Sequence, residues 1–185
     1  TISSLKNILK KNEIINIDFT RTNKLSSRIK DVDVVLDLMV HDIDLALYLN
    51  GPIKKIFAFN KKERNKIVFS NAIFIHKNGS ISRLQASRIT EKKTRLLEVT
   101  TKKEFIEAEL LKRVLILNKQ SQTLENNDTP YQINSITQQI EVPAQEPLLL
   151  ENQAFINNCI TEKKINVPDL ESSLEVMKVA NQIIN

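Results

Sequence analysis

The chain has 185 residues, 41% of them hydrophobic and 26% charged, with a formal net charge of +5. That is the composition of a soluble globular protein, long enough for one domain with a real core, and no run reaches the roughly 18 apolar residues that a membrane helix needs. The 27 lysines and arginines are interleaved with 22 acids, and aromatic residues make up only 5%, which argues against nucleic acid as a partner. A few of the cations would serve a phosphate-bearing small substrate, and the remainder read as solvated surface.

The single cysteine, Cys159, rules out an internal disulfide, suits a reducing compartment, and lies in an apolar helical stretch where it reads as packing rather than as a nucleophile. The opening TISSLKNILKK has no charged leader followed by an apolar core, so no signal peptide is expected and the location reads as cytoplasmic.

Leu5, Ile8 and Leu9 have helical spacing, with Ser3 or Ser4 as N-cap, so residues 3–11 read as a short helix. Ile15, Ile17 and Phe19 then alternate with polar residues, the period of a strand. The segment Arg21 to Lys30 is polar and carries Arg21, Lys24, Arg28 and Lys30. It reads as a loop, either an ordinary solvated connection or a cationic lip for a diphosphate.

Asp31 to Gly51, DVDVVLDLMVHDIDLALYLNG, is the most apolar run in the chain. On a helix of 3.6 residues per turn Asp37, His41, Asp44 and Tyr48 fall on one narrow stripe, and everything around them is oily. A helix greasy on most of its circumference is expected to be buried, where ionisable groups cost several kcal/mol unless they are paired or line a wet cleft. The stripe is therefore either a site or a satisfied core pair of Asp37 with His41. Gly51 and Pro52 stop the helix.

From Ile53 to Asn118 the pattern predicts strands over 53–60, 66–77, 80–89, 94–100, 103–110 and 112–118, with Asn78-Gly79 as the strongest hairpin signal and His76 as a strand-end surface residue. Lys119 to Gln139, rich in Asn, Gln, Ser and Thr, reads as a loose loop ending in a strand near Ile133 to Val142. A helix from about Leu148 to Thr161 follows, then a final helix capped by Asp169, with Leu170, Leu174, Met177, Val179 and Ile183 on its core side. The sum is an α+β domain, an open and mostly antiparallel sheet with helices gathered on one face.

The sequence D-L-M-V-H-D-I-D with the following Gly51 resembles the D-x-x-x-H helix in the C-terminal domain of the Gfo/Idh/MocA family of NAD(P)-dependent oxidoreductases. The Asn78-Gly79 turn, E-P-L-L-L-E-N-Q-A-F-I at Glu146 to Ile156, and V-P-D at Val167 to Asp169 come in the family's order. With L-Q-A-S-R at Leu84 to Arg88, the chain looks most similar to the branch acting on nucleotide sugars such as UDP-N-acetylglucosamine.

The resemblance implies a glyceraldehyde-3-phosphate dehydrogenase C-terminal-like fold. Residues 1–12 would be the tail of a linker helix, and 13–185 a substrate-binding and oligomerisation domain whose free sheet face joins subunits. It also implies that His41 is the acid/base on a sugar hydroxyl, oriented by Asp37. Imidazole suits that task because its ordinary pKa, about 6.5, lies near the working pH. Arg28, Lys30 and Arg88 are the candidates for the substrate's charged groups. Met39 departs from the family pattern, since many members have Gly there, and the substrate is expected to approach that turn differently.

Two glycines cannot write G-x-G-x-x-G, and the family's E-K-P motif is missing. NAD or NADP would therefore be bound mainly by a Rossmann domain outside this chain, and the chain is expected to be inactive alone. Two alternatives stand beside this reading. An HD-type metal phosphohydrolase is suggested by His41-Asp42, but only His76 remains as a further histidine and the ligand count fails. The other is a non-catalytic oligomerisation or ligand-binding module.

Overall fold

The computed structural model describes residues 1–10, 13–24, 32–126, 129–142, 147–161 and 170–185. Its sheet has eight strands: β1 (Ile14–Thr22), β2 (Ile53–Glu63), β3 (Lys66–His76), β4 (Ile81–Ser87), β5 (Thr94–Thr101), β6 (Glu104–Glu109), β7 (Val114–Asn126) and β8 (Thr129–Glu141). The spatial order is β2-β3-β4-β1-β5-β6-β7-β8. Six of the junctions are antiparallel, while β1 is inserted parallel to β4, with Phe19 opposite Leu84.

Alternation along the strands sends one set of side chains to a single face: Ile17 and Phe19, Ala72 and Phe74, Leu84 and Ala86, Leu97 and Val99, Ile106 and Ala108, Leu115 and Leu117. Against that face pack Leu5 and Leu9 of α1 (Ile2–Leu9), Ile43 and Ala46 of α2 (Val40–Asn50), and Val176, Val179, Ala180 and Ile183 of α4 (Leu170–Ile184), making one continuous core. The opposite face is mixed: Asp18, Thr20, Asn71, Ile73, Arg83, Gln85 and Glu98 line a shallow depression of about 430 Å³, with Phe59 at its side. Phe57 and Phe59 on the edge strand are 49% and 67% exposed there. The fourth helix, α3 (Pro147–Thr161), leaves Leu148, Leu149, Phe155, Ile156 and Ile160 exposed.

The architecture agrees with the sequence-based expectation, and four local readings do not. The strand expected near Ile133 to Val142 is the later part of β8, but the stretch before it is no loose loop: β7 runs on to Asn126 and β8 starts at Thr129, with Thr123 opposite Ile133. The polar composition of that stretch carries no apolar alternation to signal a strand. Arg21 belongs to β1 rather than to the loop after it. His76 ends β3 as expected but is 1% exposed, because it continues the inward alternation of Ala72 and Phe74. Finally, the run 31–51 is not one regular α-helix, since Val35–Met39 form a π-turn before α2 begins.

The β2–β3 hairpin turns at Arg64-Asn65, both with positive φ (47° and 64°), a two-residue geometry that matches strand twist without a glycine to announce it. Lys54, Lys55, Lys61 and Lys62 along β2 discourage pairing at that edge.

Candidate functional site

The helix formed by the π-turn and α2 has two characters. Val35, Met39, Ile43 and Ala46 are buried in the core. His41 and Tyr48 are exposed and Asp37 and Asp44 half-buried, so the predicted stripe exists but fronts an open surface instead of lying in a dry interior. The helix expected to be buried is buried on one side only, because the apolar residues need only that side to reach the sheet. Met39, where many family members have Gly, is fully buried and its sulfur accepts a weak hydrogen bond from Ser70 Oγ at 3.9 Å. Its side chain therefore takes no room on the open stripe.

Two buried arginines hold this helix. Arg21, last but one in β1, donates from Nε and Nη2 to both oxygens of Asp42 at 2.8 and 2.7 Å, with side chains only 8% and 4% exposed. Burial pushes the Asp42 carboxyl up from its ordinary value, and the Arg21 bonds pull it back by less. Arg88, immediately after β4, donates from Nη1 to the Val32 carbonyl at 2.5 Å and brings Nη2 to 2.7 Å from Asp37 Oδ2. That second contact is a charge pair without hydrogen-bond alignment, and Nη2 is left without an aligned acceptor. β1 and β4 are parallel, with Thr22 opposite Ser87, so both arginines stand at the C-terminal ends of two neighbouring strands.

The structure therefore places Asp37 against Arg88. No hydrogen bond joins Asp37 to His41 among the described residues. Asp44, one turn after His41, has its carboxyl pushed up by burial, with the His41 charge acting in the opposite sense. Arg88 is 5% exposed, and its guanidinium faces Asp37 and Val32. Arg28 and Lys30 lie outside the described residues.

At the far end of the stripe Lys6 of α1 donates to the Tyr48 carbonyl at 3.1 Å and sits over the Tyr48 ring. Beyond it Gly51, at φ 80°, ends α2. His76 clasps that end: its Nδ1–H donates to Gly51 O at 2.7 Å, and its Nε2 accepts from Ser82 Oγ at 2.9 Å, while Asn50 Nδ2 donates to Ser82 Oγ at 2.8 Å. This chain of donors and acceptors fixes the neutral Nδ1–H tautomer, and burial lowers the His76 pKa from its ordinary value. Both ring nitrogens are used, so neither offers a lone pair to a metal. Among the described residues no three His, Cys, Asp or Glu side chains gather as a metal site.

Sequence reasoning missed the Arg21–Asp42 pair, although its signal was present. Arg21 follows Ile17 and Phe19 at the strand period, and Asp42 shares the helix side of Met39 and Ala46, so both point inward. The same period of two would have buried His76.

A dinucleotide does not fit the residues here. Neither Gly51 nor Gly79 brings backbone close to anything: the space where a Cβ would stand is open at both, and they serve as a helix stop and a hairpin turn. No glycine-rich turn leads from a strand into a helix, so this chain has no pyrophosphate cradle of the usual kind. Among the described residues no helix is long and apolar enough to cross a membrane.

Residues 15–107 match the family model described as the GFO/IDH/MocA C-terminal domain. Over 101 residues the chain is 27% identical to UDP-N-acetylglucosamine 3-dehydrogenase of Acidithiobacillus ferrooxidans, spanning 54% of this chain and 32% of that protein. A crystal structure of the same enzyme superposes with a TM-score of 0.83 at 19% identity, covering 97% of this chain and 56% of that one. Levoglucosan dehydrogenase in complex with NADH superposes with a TM-score of 0.75 at 14% identity, covering 99% and 60%. The chain thus spans a third to three fifths of the length of these relatives, and the fold is theirs. With half its length inside the model of the family's C-terminal domain, and with the fold of these dehydrogenases, this chain belongs to the Gfo/Idh/MocA oxidoreductase family.

Proposed function

We propose that this chain is the substrate-side domain of an NAD(P)-dependent dehydrogenase that oxidises a hydroxyl of a sugar or nucleotide sugar. The observation that carries the reading is His41: an exposed imidazole flanked on its own stripe by Asp37 and Asp44, on a helix held from behind by two buried arginines. Such a group can take the hydroxyl proton as hydride leaves the same carbon for a nicotinamide held outside this chain. Asp37 and Asp44 supply negative charge beside the ring when it carries that proton. Arg28 and Lys30 are the cations proposed for the substrate's charged groups; Arg88, buried against Asp37 and Val32, serves the helix and not the substrate's charge. UDP-N-acetylglucosamine is the first substrate to try, because a relative bears that name.

A Rossmann domain elsewhere in the complete polypeptide would hold NAD or NADP and close over the stripe, and residues 1–12 would lead from it. The isolated chain is then inactive. A cytoplasmic location and a homo-oligomer formed through the free sheet face belong to the same proposal. The second reading is a module that only oligomerises or binds a ligand, and the exposed Phe57 and Phe59 favour it.

The test is His41→Asn in the complete polypeptide, assayed with UDP-N-acetylglucosamine and either cofactor. Because His41 is exposed, the melting temperature should hold while turnover falls roughly 10²–10⁴-fold. Unaltered turnover per folded molecule would refute the assignment and leave the binding module.

A further inference from the structure

We propose that Arg88 is the positioning residue that holds the π-turn and thereby sets the angle at which Asp37 and His41 stand on their shared stripe. The inference rests on the reading of His41 given above only for its functional meaning; its physical content stands on the turn itself. The Val40 amide donates to the Val35 carbonyl, five residues back. A turn of that kind packs one residue more than an α-turn and occurs as a single turn, so something beyond local preference has to hold it.

Arg88 reaches both sides of the turn. Nη1 holds the Val32 carbonyl, three residues before the turn begins, and Nη2 stands at 2.7 Å from the carboxylate of Asp37, the charged residue inside it. The guanidinium is itself fixed. The Arg88 amide donates to Val68 O at 2.9 Å, the residue follows the last β4 position paired to β1, and its side chain is 6% exposed. The start of the segment is pinned independently, because Asp33 Oδ1 accepts from the Ile67 amide at 2.7 Å and the Asp33 carbonyl accepts from the Asp37 amide at 3.0 Å.

If residues 35–39 relaxed to α-helix, Asp37 would turn about the axis relative to His41 and stay on the same stripe, so the carboxylate and the imidazole would stand at a different angle to one another.

The turn can be read directly in the isotopically labelled 185-residue chain from the through-hydrogen-bond coupling of the Val40 amide nitrogen. In the native chain the coupled carbonyl should be Val35. In Arg88→Met it should switch to Leu36, the α-helical partner, and in Arg88→Lys, whose ammonium can still meet the Asp37 carboxylate, it should stay with Val35. Persistence of the Val35 coupling in Arg88→Met would overturn the proposal, as would a switch in both variants. Should Arg88→Met fail to fold, Asp37→Ala removes the other end of the contact at a half-exposed position. It should show the same switch, and a retained Val35 coupling there would overturn the proposal equally. None of these readings involves turnover, so they fail or succeed separately from the acid/base role of His41.

Discussion

Breaking the Arg21–Asp42 pair one partner at a time should cost far more than removing it whole. The pair is bidentate at 2.8 and 2.7 Å with both side chains more than nine-tenths buried, so Arg21→Met strands a carboxylate, and Asp42→Leu a guanidinium, in the core. Removing one member of a buried ion pair costs about 3–5 kcal/mol. At about 2–4 °C per kcal/mol for a chain of this size, each single variant should melt about 6–20 °C lower. The double variant should recover most of that loss. Burial outweighs Arg21 in setting the Asp42 carboxyl, which sits above its ordinary value; the stabilisation linked to its protonated form is present at acid pH and lost as pH rises through the folded-state value. At neutral pH the pair is thus held at some expense, and its apolar replacement should come within about 1–2 kcal/mol of the native chain or exceed it. Urea unfolding of the four proteins with a common m-value measures the cycle. Single variants costing less than about 1 kcal/mol, or a double variant as unstable as the sum of the singles, would refute the reasoning.

Three further outcomes are expected. His76 is buried neutral with a lowered pKa, so the unfolded chain takes up the proton first; urea midpoints should fall as pH drops below about 6.5 and His76→Asn should flatten that slope, whereas an equal slope in both proteins would show that His76 is not its source. The chain should self-associate through the face that carries Phe57, Phe59 and Ile73, and Phe59→Glu should weaken this without changing the circular dichroism; light scattering that finds only monomer at tens of micromolar would exclude it. NADH should bind this chain poorly, and a fluorescence titration giving micromolar affinity would contradict the missing pyrophosphate cradle.

Strand positions were legible wherever a strand has one wet face and one dry face, as in β3 to β6, because there the period of two is written in the side chains. The β7–β8 hairpin was not legible between Asn118 and Ile133, where its sequence is polar without alternation, and the Arg64-Asn65 turn was legible only as a gap between two strands, since it lacks the glycine that marks Asn78-Gly79. In the site, the stripe of Asp37, His41, Asp44 and Tyr48 could be read from spacing alone. The partners could not, because Arg21 and Arg88 come from strands distant in sequence, and their approach to Asp42 and Asp37 is a property of strand order. The π-turn left no mark in the sequence, since a run such as VLDLM is equally good α-helix and contacts from outside decide between the two.

The position of β1 is the reason the site can exist. A chain that simply meandered would pair β1 with β2 and leave the carboxyl end of one strand beside the amino end of the next. Here β1 leaves the hairpin order and lies parallel to β4, the one parallel junction among the described strands. Arg21 and Arg88 therefore emerge together at the same end of these two strands, and the helix that follows β1 crosses that end with Asp37 and Asp42 five residues apart, one carboxylate for each guanidinium. The Arg21–Asp42 pair grips the helix on the side facing the sheet and the Arg88–Asp37 pair at the border of the stripe, and His41 lies between them in sequence, exposed. The imidazole then owes its placement to charge pairs of which it is not a member.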